Sequence, residues 1–314
     1  MKLLIDCDPG HDDAIAILYA AQHCDVVGIT TVFGNQTVEK TTLNTLRVLA
    51  LAGLQIPVAR GCAIPLVGDA PLAPDTHGAS GLDGVELPEP TAEPVNQSAA
   101  EFIIDTVKKN KNNISLAITG AHTNVALALR LEPQLTNWIC SISIMGGTLG
   151  IGNLRPQACV NILSDPEAAH IVFTSGIPIY WIGYETTRTV LMTITEIERL
   201  REVNRPVASA VADIATYYRE RQLKVNGIDG APMHDSCAIV PYIKPQLIRY
   251  EHAHLAVSLD SGIARGVTLV DRRPIQPGVK LQSVVPKQPN NVEIAIEVDR
   301  KNLIADIVSA VSAY

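Results

Sequence analysis

Eight consecutive residues, Asp6-Cys7-Asp8-Pro9-Gly10-His11-Asp12-Asp13, place four carboxylates between an apolar segment, Leu3-Leu4-Ile5, and an apolar run with helical spacing over residues 14–21. The leading segment is short, branched and uninterrupted, the pattern of a strand buried on both faces. Pro9 and Gly10 force a tight turn, and Asp12 or Asp13 suits the start of the helix that follows. The strand end, the turn and the helix start therefore aim several carboxylates at one small volume. A solvated acidic turn does not explain Asp6 and Asp8 alternating at the end of an apolar strand. Like charges held that close need a compensating cation, and an all-oxygen donor set selects a hard one, Ca²⁺ or Mg²⁺.

Strand-like runs recur at residues 3–6, 26–32, 57–60, 115–119, 142–145, 177–182 and 254–259. Helical patterns lie between many of them, at 38–52, 99–109, 124–131 and 166–175. Strands alternating with helices predict an α/β fold with a mostly parallel central sheet flanked by helices. Two helix starts are marked by proline in the first turn, Pro166 after Ser164-Asp165 and Pro206 after Arg205. At 314 residues the chain could hold one large α/β domain or two ordinary ones. The stretch rich in Pro, Gly and Ala at 65–94 reads as a long connection rather than an interdomain linker, so a single domain over residues 1–314 is expected. Residues 204–232 read as a long charged helix followed by glycines, a mobile lid near the pocket.

A net charge of −7 argues against a nucleic-acid surface. No apolar run approaches membrane-spanning length. The start lacks signal-peptide anatomy, since Asp6 and Asp8 interrupt its apolar stretch. The six cysteines are scattered without zinc-site spacing and read as reduced, mostly buried thiols, so a cytoplasmic location is expected. Apolar residues make up 47% of the chain and aromatics only 4%, so aliphatic packing should dominate the core.

The eight-residue acidic block resembles the signature of the inosine–uridine-preferring nucleoside hydrolases. Further blocks carry the resemblance along the whole chain: Val32-Phe-Gly-Asn35-Gln-Thr-Val-Glu-Lys40, His77-Gly-Ala-Ser-Gly-Leu-Asp-Gly84, Thr123-Asn124, Met145-Gly-Gly147 through Asn153, Asn161 followed by Asp165-Pro-Glu-Ala-Ala169, and Met233-His234-Asp235. Leu82-Asp-Gly and Leu87-Pro-Glu-Pro-Thr91 most resemble the bacterial pyrimidine-type members. The resemblance implies a Rossmann-like nucleoside hydrolase fold, cleavage of the N-glycosidic bond of a ribonucleoside to ribose and free base with pyrimidines preferred, and a role in pyrimidine salvage and nucleoside catabolism. It also implies a homo-oligomer, tetramer or dimer, acting on a small-molecule ribonucleoside.

For the site, the resemblance implies Ca²⁺ held by the carboxylates of Asp8, Asp13 and Asp235 and the carbonyl of Thr119, with Asp8 also taking the proton of the attacking water. It places Asp12 and Asn161 on the ribose 2′- and 3′-hydroxyls, Asn35 on water or ribose, Met145 against the sugar, and His77 and His234 at the base. Asn153 would reach the 5′-hydroxyl, where relatives add a Glu at the position of Cys159. Independently of the match, Asp8, Asn35, Thr119 and Met145 all fall at the carboxyl ends of expected strands, where ligands sit in open α/β sheets. The remaining histidines, 11, 23, 122, 170, 252 and 254, read as structural.

Two motifs mislead. Gly146-Gly-Thr-Leu-Gly-Ile-Gly152 follows a strand but lacks dinucleotide-binding spacing and opens no helix. Asp6-x-Asp8 is similar to haloacid-dehalogenase-type phosphatases, but Pro9-Gly10 and His234-Asp235 stand where that pattern needs other residues; this is the weaker enzymatic alternative. Three departures leave a second alternative, a family member that binds nucleoside or a 5′-modified riboside with little turnover: Cys159, Ala79, and Gly183-Tyr-Glu-Thr-Thr187 followed by Arg188. Every expected metal ligand is intact.

Overall fold

The computed structural model describes residues 1–72, 74–274 and 286–314. Its strands are β1 (Lys2–Cys7), β2 (Asp25–Thr31), β3 (Val58–Arg60), β4 (Ile114–Ile118), β5 (Ile142–Met145), β6 (Ile179–Ile182), β7 (Leu191–Met192), β8 (Ala231–Pro232), β9 (Ile248–Val257), β10 (Thr268–Asp271) and β11 (Val292–Val298). Among the described residues nine of these form one sheet in the order β10-β9-β11-β6-β5-β4-β1-β2-β3, and β7 pairs with β8 in a small ribbon. From β3 through β11 all neighbours are parallel; β9 runs antiparallel to both β11 and β10. The six strands ordered β3-β2-β1-β4-β5-β6 reproduce the doubly wound Rossmann arrangement, whose crevice opens where the winding reverses, between β1 and β4.

Alternation along β1 divides the core into two layers. Leu3, Ile5 and Cys7 pack into the layer that contains helices His11–His23, Pro206–Asn226, Ser236–Ile243 and Arg300–Ser312. Leu4 packs on the other face with helices Ala99–Lys109, Thr123–Leu131 and Pro166–Phe173. The two proline-marked helices start as expected, with Asp165 as N-cap accepting the Ala168 N–H at 3.0 Å and Arg205 preceding Pro206.

The sequence reading and the structure differ at the carboxyl-terminal side of the sheet. The expected strand at 254–259 is the second half of the longer β9, and β10, β11 and helix Arg300–Ser312 had not been expected. In β11 the outward Glu293 and Glu297 interrupt the apolar run, and the strand becomes recognisable only by pairing with β6 and β9. The 65–94 connection holds the short helix Pro74–His77 and the loop to Gly84, with Ala73 outside the described residues. That loop is closed by the Asp83 carboxylate, which accepts the N–H groups of Ala79 and Ser80, each at 2.9 Å.

Candidate active site

β1 ends at Cys7, and the turn Asp8-Pro9-Gly10 delivers the chain into helix His11–His23. Asp13 tightens that turn by accepting the Gly10 N–H at 3.0 Å, so Asp13 is the residue that caps the helix start. Thr119, immediately after β4, donates its hydroxyl to the other oxygen of Asp13 at 2.8 Å. Asp235, at the start of helix Ser236–Ile243, arrives from the opposite direction. Asp12, Asp13 and Asp235 thereby bring one carboxylate oxygen each within 4.8 Å of one another, all of them buried.

Asp8 stands beside this group. Its Oδ2 accepts the Asn35 N–H at 2.8 Å, while its Oδ1 is buried with no partner among the described residues. The Asn35 amide can come so close because Gly34 has φ +156°, and a Cβ there would lie 2.0 Å from Asp8 Oδ2. Asp6, the fourth carboxylate of the acidic block, does not join the cluster. It lies on the β1 face of Leu4, where Thr30 Oγ1 and Asn124 Nδ2 donate to it at 2.6 and 2.8 Å. Burial pushes it up to about 7.

Burial, and then the neighbouring carboxylates, hold Asp8 and Asp235 well above the usual range and push Asp12 up to about 8; burial also raises Asp13. Like charges about 4 Å apart repel by roughly 4 kcal/mol at an effective dielectric of about 20. A divalent cation reverses that sign. The donor set fits one: several carboxylates, the orphaned Asp8 oxygen and a backbone carbonyl, with no sulfur or imidazole in the group. The cluster is therefore compatible with a metal site.

A cavity of about 220 Å³ opens over these residues, lined by Asp12, Asn35, Thr119, Met145, Asn153, Cys159, Asn161 and Asp235 together with His77 and His234. Asn161 Nδ2 donates to the Thr119 carbonyl and, at 3.1 Å, to that of Met145, which leaves its Oδ1 as a free acceptor. Asn35 likewise spends Nδ2 on the Asp8 carbonyl at 3.0 Å and Asp13 Oδ2 at 3.2 Å. The sheet strands thus supply the cavity floor from β1, β2, β4 and β5, at their carboxyl ends.

The two histidines are set differently. His77 Nδ1 lies 3.0 Å from His11 Nδ1 and 3.2 Å from the His11 N–H, while His11 Nε2 meets the Asp83 carbonyl at 2.9 Å. His11 also stacks on Tyr217, with ring centroids 5.0 Å apart. The histidine read as structural is thus the support of the one expected at the base. His234 Nδ1 is 2.7 Å from Thr187 Oγ1, and its ring stacks on Tyr184 at 5.4 Å. Burial lowers both: His77 falls well below the usual histidine range and His234 to about 3. Both are neutral imidazoles at neutral pH.

The sequence model of the inosine-uridine preferring nucleoside hydrolases matches residues 3–305. The chain belongs to this family. RihA of Escherichia fergusonii, a pyrimidine-specific ribonucleoside hydrolase, is 39% identical over 318 aligned residues, covering 100% of this chain and 99% of the relative. A plant nucleoside hydrolase, PpNRh1, superposes with a TM-score of 0.90 at 30% identity, covering 100% of this chain and 99% of that one. A purine-preferring ribonucleoside hydrolase from Gardnerella vaginalis also reaches 0.90, at 29% identity over 100% of this chain and 98% of its own. The protein is a nucleoside hydrolase, an enzyme that hydrolyses N-glycosidic bonds.

In this hydrolase all twelve residues singled out from the sequence lie in or against one cavity, Asp8 and Asp13 just beneath its surface. Asp12, expected at the ribose, also belongs to the carboxylate group whose oxygens lie within 4.8 Å of one another. Nine further lining residues were not singled out from the sequence as site residues: Thr76, Gly152, Leu154, Val160, Tyr184, Tyr218, Gln222, Val225 and Asn226. Four of them, at positions 218, 222, 225 and 226, share one face of helix Pro206–Asn226. That spacing is visible in the sequence; which face meets the cavity is not. The segment read as a lid does border the cavity, through the last turn of that helix. Glu185 ties down the loop after β5, accepting the Ile151 N–H at 2.9 Å and the Thr148 hydroxyl. Arg188 lies over the Tyr184 ring, 5.9 Å from its centroid, and is not among the described lining residues.

Proposed function

We propose that this chain, acting as one unit over residues 1–314, is a Ca²⁺-dependent ribonucleoside hydrolase that prefers pyrimidine nucleosides. The observation that carries the reading is the meeting, in one cavity, of a carboxylate cluster with a free asparagine acceptor and two neutral histidines. The ion would be held by Asp8, Asp13, Asp235 and the Thr119 carbonyl, and when bound it supplies the Lewis acidity that makes a neighbouring water easier to deprotonate. Asp8 Oδ1, a buried oxygen with no partner among the described residues, takes that proton. Asn35, its Nδ2 committed, offers Oδ1 to orient the water or a sugar hydroxyl. Asp12 and the Asn161 Oδ1 accept from the vicinal hydroxyls, and Met145 packs on the sugar. The bond breaks through an oxocarbenium-like state, whose positive charge the carboxylates stabilise.

His77 and His234, as neutral imidazoles, assist the departing base by donating an N–H hydrogen bond to it. A hydrogen bond to charge developing on the leaving base is worth roughly ten- to a hundredfold. Alanine at the responsible histidine is expected to lower kcat on uridine by about that factor while sparing 4-nitrophenyl riboside, whose leaving group needs no proton. Equal losses on both substrates would assign the histidines to sugar binding or support.

Pyrimidine preference is supported by the blocks at 82–84 and 87–91 and by the likeness to a pyrimidine-specific relative. A reducing-sugar assay across uridine, cytidine, inosine and adenosine tests it, and faster cleavage of inosine than of uridine by kcat/KM overturns it. We also propose a homo-oligomer in the cytoplasm; among the described residues no helix is long and apolar enough to cross a membrane.

A further inference from the structure

The cavity has two chemically unlike ends. One carries His77, Tyr218, Gln222 and His234; the other is made of Gly152, Asn153, Leu154, Cys159 and Val160. If the base departs at the histidine end, the geometry of a ribose ring, with C1′ and C4′ on either side of the ring oxygen, points C5′ to the second end. This step rests on the reading above.

The second end is poor in acceptors. Asn153 already accepts the Val160 N–H on its Oδ1 at 2.9 Å, so its unspent group is chiefly the Nδ2 donor. Cys159 is fully buried and contributes a thiol, a weak hydrogen-bonding group. Glu185 is turned to the Thr148–Ile151 loop and is not among the described residues lining the cavity. Among the described lining residues at this end a free 5′-hydroxyl would thus meet the Asn153 donor, a weak thiol and the Tyr184 hydroxyl, and no carboxylate. Two of the lining residues are apolar and exposed, Leu154 at 45% and Val225 at 62%, and Ile151, next to the lining Gly152, is 54% exposed. Clustered apolar exposure at a pocket mouth marks a surface that a ligand covers. Leu154 also lines a neighbouring cavity of about 530 Å³, whose wall mixes Val67, Pro71 and Leu163 with Asp69, Arg155 and Arg265.

We propose that this hydrolase accepts ribonucleosides whose 5′-hydroxyl is replaced by an apolar group or a thioether, and that Asn153, Leu154 and Cys159 set this tolerance. Such a substituent gives up no hydrogen bond to a charged acceptor and covers the exposed Leu154 side chain. Each methylene it buries is worth roughly fourfold in kcat/KM.

The test compares kcat/KM for uridine, 5′-deoxyuridine and 5′-deoxy-5′-methylthiouridine in the wild type, Cys159→Glu and Leu154→Asp. In the wild type the methylthio compound is expected to retain at least about one-tenth of the uridine value, because no hydrogen bond to a charged group is lost. Cys159→Glu supplies the missing acceptor and Leu154→Asp makes the rim polar, so each should lower the methylthio-to-uridine ratio by about tenfold. Leu154 is surface-exposed, so its variant keeps the test alive should the buried Cys159→Glu fail to fold. A wild-type ratio below about one-tenth, or a ratio that neither substitution moves, overturns the proposal. Absence of turnover on uridine, cytidine and inosine alike would overturn the site reading beneath it as well.

Discussion

Asp8→Asn is expected to lower kcat/KM on the best ribonucleoside by at least about a thousandfold while leaving the protein folded. The side chain is 1% exposed, with Oδ2 fixed by the Asn35 amide and Oδ1 bare. Asparagine keeps the volume and can still accept that amide, so the Gly34–Asn35 turn survives. What disappears is the charge and the basicity. A positioned general base is worth roughly a hundred- to ten-thousandfold, and loss of a charged cation ligand adds to that. Removing one negative charge from a buried carboxylate cluster relieves repulsion, so without added metal the variant should melt no lower than the wild type. Activity within tenfold of wild type in a folded variant would remove Asp8 from the mechanism. A fall in melting temperature with the same loss of activity would make its role one of folding.

Metal removal is the second large effect. A cation that binds the folded cluster and has no site in the unfolded chain stabilises by mass action, about 2.7 kcal/mol at a hundredfold excess over its Kd. For a chain of this size that corresponds to a rise in Tm of roughly four degrees between EDTA and a hundredfold excess of Ca²⁺ over its Kd. Asp13→Asn and Asp235→Asn should each abolish the rise, since both belong to the group within 4.8 Å. Asp83→Asn, whose carboxylate serves the 79–80 turn, should keep it. Mg²⁺ should act more weakly, because it demands near-ideal octahedral geometry and sheds its waters reluctantly. Identical melting curves in EDTA and Ca²⁺, with no calcium retained on purification, would exclude the ion from this site.

How far the chain could be read depended on whether a signal was local. The strand–turn–helix of residues 2–23 was legible because the apolar run, Pro9-Gly10 and the helical spacing follow one another directly. The helices Val38–Ala52 and Ala99–Lys109 were legible to their ends; the latter carries a complete capping box, Ser98 with Glu101. The strands β10 and β11 were not, because their stability comes from cross-strand pairing at the mixed side of the sheet. Asp6 is the instructive case within the site. In sequence it is equivalent to Asp8, two residues away, yet it is engaged by Thr30 and Asn124 and stays outside the carboxylate group. His11 is the converse, since its contact with His77 joins residues 66 positions apart.

The sequence by itself determined the alternation of strands and helices, the acidic turn after the first strand, and the residue types the chemistry needs. Those follow from backbone geometry and side-chain chemistry acting over a few residues. Only the tertiary structure decided which carboxylates converge, which asparagine atoms stay free, and that the last turn of helix Pro206–Asn226 forms a cavity wall. The reason is topological. Asp8, Thr119, Asn161 and Asp235 are brought together by a sheet that sets β4 beside β1 and opens its crevice at that reversal. Strand order is fixed by the summed burial of two core layers, and that sum is a property of the whole chain.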